Sequence, residues 1–147
     1  MKRVHLACAL AALVGVGSLS SLAFADDGDY SGGPIIKVIS IRTADGHFED
    51  YMHFLATTTK KTLEAYKKAG VITAYRIILL NPQEPSDPDI LEVMEFKNWA
   101  AFDSIADKIK KIPAGEPGSA ENYKKSKVDP TIRRVLGERI GQEAILK

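Results

Sequence analysis

Cysteine is nearly missing from this chain: the single one, Cys8, falls within the first ten residues. One cysteine cannot form an internal disulfide. If the N-terminal segment that holds it is removed, thiolate catalysis and cysteine-ligated metal sites go with it. Histidine is scarce, at three residues, and the one tryptophan is Trp99. No Ser-His-Asp set and no zinc-ligand spacing is present. Ser31-Gly32-Gly33 precedes a strand with no helix directly behind it, so it does not have the context of a phosphate loop. Neither sign of charge dominates, since 20 Lys and Arg stand against 19 Asp and Glu. Such a balance carries no electrostatic footprint for nucleic acid. No internal repeat is visible, and the length is that of one domain.

The first 25 residues have the order of a secretory signal peptide. Lys2 and Arg3 form a basic start, Leu6 to Val16 is apolar, and Ala23-Phe24-Ala25 is a small-residue cleavage site before Asp26. The apolar run is shorter than the roughly 20 residues of a spanning helix. Cys8 lies inside that run, whereas a lipidated cysteine comes after it. The expectation is a periplasmic or secreted protein with no stable membrane anchor after cleavage. Loss of Lys2 and Arg3 turns the formal balance slightly acidic.

Residues 26–34 are acidic and glycine-rich and end in proline, which predicts a flexible mature N-terminus. Ile35 to Arg42 is β-branched and aliphatic, a strand. Asp45 is the expected cap of a long helix whose stripe runs through Phe48, Tyr51, Leu55, Thr62, Tyr66 and Ala69, with Gly70 as its stop. Val71 to Leu80 and Asp89 to Lys97 are two further strands around a proline-rich loop, which reads as an antiparallel hairpin. Asn98 is the expected cap of a second helix through Trp99, Phe102, Ile105, Ala106, Ile109 and Ile112. Pro113 to Gly118 is a breaker-rich loop, residues 119–137 are polar and weakly periodic with one or two short helices around Tyr123 and Ile132, and Arg139 to Leu146 is a fourth strand. The order is β-α-β-β-α-β, the α+β ferredoxin-like unit, with an antiparallel sheet. Such a sheet has helices on one face only. Both side-chain sets of its strands contain large aliphatics, so a second copy is the expected cover.

With IIKVISIRTADGHFEDYMHFL, LEAYKKAGVITAYRII, ILEVMEFKNWAAFD and RIGQEAILK, the chain resembles the dimeric α+β barrel superfamily over most of residues 35–147, with 113–134 as a longer insertion than the smallest members carry. The resemblance is architectural. It implies a homodimer whose two sheets enclose a lumen for a small apolar or aromatic ligand. Members with this look include cofactor-independent antibiotic-biosynthesis monooxygenases and haem-degrading monooxygenases. The haem-degrading members use an asparagine near the first strand and an iron-ligating histidine soon after a tryptophan. Here Ile35 to Arg42 has no asparagine, and the last histidine, His53, precedes Trp99. No cofactor and no metal is therefore expected, and Trp99 reads as a core residue.

His47 and His53 lie six residues apart on one helix, roughly 240° around its axis, and do not share a metal. His53 has Glu49 one turn earlier, either a surface pair or an imidazole oriented for general-base work. Charges inside strands are the better lead, because a charge there must face solvent, a partner or a polar cavity. They are Arg76, Glu92, Glu95 and Glu143, with Glu92 and Glu95 on opposite faces by alternation. The candidate ligand-binding residues are Arg76, Glu95, Glu143 and His53; no catalytic residue is assigned. Two functions are expected from this: an exported ligand-binding or interaction protein, or a cofactor-independent monooxygenase acting on a small aromatic substrate.

Overall fold

The structure, a computed structural model, describes residues 28–125 and 127–147. The expected leader lies outside them. Four strands, β1 (Tyr30–Thr43), β2 (Ala74–Leu79), β3 (Ile90–Phe96) and β4 (Arg133–Leu146), form one sheet in the order β2-β3-β1-β4. All three pairings are antiparallel. With helices after β1 and β3, this is the ferredoxin-like arrangement.

The first helical stretch is α1 (Phe48–Phe54), a five-residue π turn (Leu55–Thr59) and α2 (Lys60–Lys68). The sequence stripe assumes unbroken α geometry, which puts Thr62 inward after Leu55. A π turn takes up an extra residue and rotates the turns of helix beyond it. Leu63 is buried instead, and Ala69 is exposed. Asp45 is not the cap: His47 occupies that position, with no side-chain capping bond. Gly70 does end α2, at φ 65°, in the left-handed region that glycine enters without a Cβ penalty. The Val71 amide then bonds back to the Tyr66 carbonyl at 2.8 Å.

The second helical stretch is two short pieces, α3 (Trp99–Asp103) and α4 (Ile105–Ile109), meeting at Ser104. The Asn98 carboxamide caps α3 by accepting from the Ala101 amide at 2.8 Å. Phe102, Ile105 and Ile109 from these pieces pack on Ile35, Leu63, Val71, Ile72 and Phe96. A second cluster, Ile41, Tyr51, Leu55 and Ile90, fills the space beneath α1. A last short helix is α5 (Ala120–Lys125); Ile132 is not helical.

β1 and β4 are longer than the sequence suggested. β1 begins at Tyr30, so residues 30–34 belong to the ribbon with β4: Tyr30 faces Leu146 and Gly32 faces Ala144. The pairing register shifts between Gly32 and Ile35, which places Pro34, unable to donate to the ladder, at a bulge. A Cβ on Gly32 would lie 2.6 Å from Gln142 Nε2, the far end of a flexible side chain that would have to swing aside. Gln142 also donates to the Gly33 carbonyl at 3.1 Å and accepts from the Trp99 indole at 3.3 Å. Trp99, expected in the core, is 39% exposed and ties α3 to β4.

Candidate functional site: the uncovered face of the sheet

Register assigns every strand residue to a face. Toward the helices point Ile35, Lys37, Ile39 and Ile41 of β1 and Ile90, Glu92, Met94 and Phe96 of β3. On the other side, three rungs cross the whole sheet. One runs Ala74, Glu95, Ile36, Gly141; the next Arg76, Val93, Val38, Arg139; the third Ile78, Leu91, Ser40, Gly137. None of the described helices lies on this side, as the two core clusters both belong to the other.

The central rung is two valines flanked by two arginines. With strands about 4.8 Å apart, its outer Cα atoms stand on the order of 14 Å from each other. Farther along, Arg42 faces Arg134 on the same side. Four of the chain's six arginines therefore share this face. Against them stand two strand carboxylates, Glu95 and Glu143. Arg76 reaches Glu95 at 3.6 Å, and Glu95 also accepts from the Thr73 hydroxyl at 2.9 Å. The Arg139 side chain has no hydrogen-bond or ion-pair partner among the described residues.

A concavity of about 460 Å³ lies on this face, with Ile36 and Val38 as its floor and Arg76, Arg139, Gly141 and Glu143 around it. Gly141 contributes no side chain to it: a Cβ there would meet nothing within 4 Å, and the same holds at Gly137 on the other side of Arg139. The hollow is open to solvent and combines an aliphatic floor with guanidinium groups, the composition of a site for a part-apolar, part-charged molecule.

Of the residues singled out in the sequence, Arg76, Glu95 and Glu143 come together here. His53 does not. It lies exposed on α1, on the helix side, and its ring makes no hydrogen bond to Glu49; its carbonyl accepts from the Thr57 hydroxyl at 2.7 Å. The imidazole that does meet a carboxylate is His47, with Asp50 at 2.8 Å. Arg139 is a site residue that the sequence reading missed although its signal is there: Arg139, Gly141 and Glu143 alternate in β4 and share one face.

Glu92 takes the opposite side, as alternation requires. It accepts a hydrogen bond from the hydroxyl of buried Tyr51. Burial, then the Glu92 charge and the hydrogen bond to it, hold the Tyr51 phenol well above the ordinary tyrosine range. Arg133 lies over the Tyr51 ring, 5.5 Å from its centre, and its Nε is buried without a hydrogen-bond partner. Close by, the Asp89 carboxylate accepts from the Thr43 amide at 3.1 Å and from its hydroxyl, fastening the end of β1 to the start of β3. A second, apolar hollow of about 160 Å³ lies under the π turn, between Leu55, Leu63, Tyr75 and Ile77.

No family model matches the chain, and no curated protein does. Two solved structures are similar. One is protein SO0527 from Shewanella oneidensis, 19% identical, covering 80% of this chain and 99% of that one with a TM-score of 0.47. The other is a dimeric ferredoxin-like protein from an uncultured marine organism, 13% identical, covering 80% and 90%, with a TM-score of 0.44.

Proposed function

We propose that the chain is an exported small-ligand-binding protein, in which two copies close their uncovered sheet faces on one another around a lumen. The observation that carries this reading is the face itself. Ile36, Val38, Leu91, Val93 and Ile78 form an aliphatic field on the side away from the helices, around a concavity of about 460 Å³. A stable pairing of this kind typically removes about 800 Å² per partner from water, a scale suited to a four-stranded face. Isologous pairing joins the same patch on both copies, so one concavity meets another and the enclosed volume grows. Oxygenation of an aromatic substrate would use the same lumen. No feature of the lining favours it over binding.

Sedimentation velocity on residues 26–147 tests the assembly. The expected result is a dimer at tens of micromolar that becomes monomeric in Val38→Asp and Ile78→Asp, each with an unchanged far-UV spectrum. A monomeric parent, or a dimer indifferent to both changes, would overturn the reading.

A further inference from the structure

The same face carries a charge pattern that narrows the range of ligands it can hold. Four arginines, Arg42, Arg76, Arg134 and Arg139, stand against Glu95 and Glu143. Two such faces brought together place an excess of positive charge in a water-poor space, an arrangement that costs free energy until a counter-charge enters. The guanidinium groups differ in how far they are already satisfied. Arg76 is engaged by Glu95 at 3.6 Å, and Arg42 reaches the Asp87 carbonyl at 3.5 Å. Arg139 is at the rim of the concavity, unpartnered among the described residues, and the bare Gly137 and Gly141 beside it leave its side chain room to move. From Arg139 the floor runs inward over Val38 and Ile36, which are apolar.

We infer that the site takes an amphiphilic organic anion, its apolar body on Ile36 and Val38 and its head group, a carboxylate, held by the Arg139 guanidinium. The inference deepens the lumen reading and rests on it. A planar guanidinium matches a carboxylate through two parallel hydrogen bonds, which a lysine ammonium does not reproduce. Because the anion offsets the excess charge of two facing sheets, binding and pairing assist each other.

Decanoate and its uncharged counterpart decanol are the probes, compared by calorimetric titration of the mature chain and by sedimentation in the same buffer. Decanoate should bind about tenfold or more tightly than decanol, as a charge-assisted pair implies. Arg139→Gln should abolish that preference and Arg139→Lys should restore part of it. Lys67→Gln, which removes the same charge from the helix side, should leave it intact. Decanoate, but not decanol, should also strengthen the dimer in the parent chain. Equal binding of the two probes, binding of neither, or a preference that survives Arg139→Gln would overturn the anion assignment, even in a protein that is a dimer. A chain that stays monomeric yet keeps an Arg139-dependent preference would overturn the lumen instead and leave an anion site on an open sheet.

Discussion

Tyr51 and Glu92 meet across the boundary between helix and sheet, and neither has a cheap substitute there. Tyr51→Phe removes the donor and leaves a half-buried carboxylate without its partner. The expected loss is about 1–3 kcal/mol in urea unfolding, the usual penalty for an unmade buried hydrogen bond. The pair also sets an alkaline limit. Tyr51 keeps its proton in the folded chain above the pH at which an unfolded tyrosine, near pH 10, releases it. The folded state then holds a proton that the unfolded state has lost. Stability is therefore undiminished below about pH 10 and declines as pH rises beyond it. A pH series of unfolding midpoints should show this decline flattened in Tyr51→Phe. Glu92 and Glu95 are separable from sequence because alternation in a strand is strict. Their partners are not, since Tyr51 and Arg76 reach them only once a helix has docked and a neighbouring strand has taken its register. Arg139 is hidden for a different reason: periodicity starts the strand there, and a terminal arginine reads as a solvated end.

The π turn at Leu55–Thr59 decides which residues of the helix beyond it face the sheet. Leu63→Ala should cost about 2–4 kcal/mol, in the range of other buried leucines. Thr62→Ala, half-buried beside it, should cost well under half of that. Chemical denaturation of the two variants distinguishes the observed phase from that of an unbroken α-helix, which predicts the larger loss at Thr62. Helix existence is legible here from spacing alone. The phase is not, because three threonines in a row, Thr57 to Thr59, carry no apolar signal that would reveal an extra residue in the turn. The same limit applies to β4. Residues 133–138 are mostly charged or exposed, and only pairing with β1 reveals that they are strand.

Across the molecule, the order of elements and the bareness of one sheet face can be read from composition and periodicity. The length of β1 cannot, because the ribbon that residues 30–34 form with the end of β4 is built from glycine, proline and exposed side chains with no core to announce it. That ribbon sets the chain's two described ends side by side: Tyr30 pairs with Leu146, and the Lys147 amide donates to the Asp29 carbonyl at 3.0 Å. Connectivity here is a matter of where the polymer is cut. A circular permutant that joins Lys147 to Asp29 through a short glycine linker, and opens between Pro85 and Ser86 in the exposed loop, interrupts no strand or helix. It should reach the parent far-UV spectrum, with a melting temperature within a few degrees of the parent's. A permutant opened between Val38 and Ile39 instead severs the central strand and should not fold.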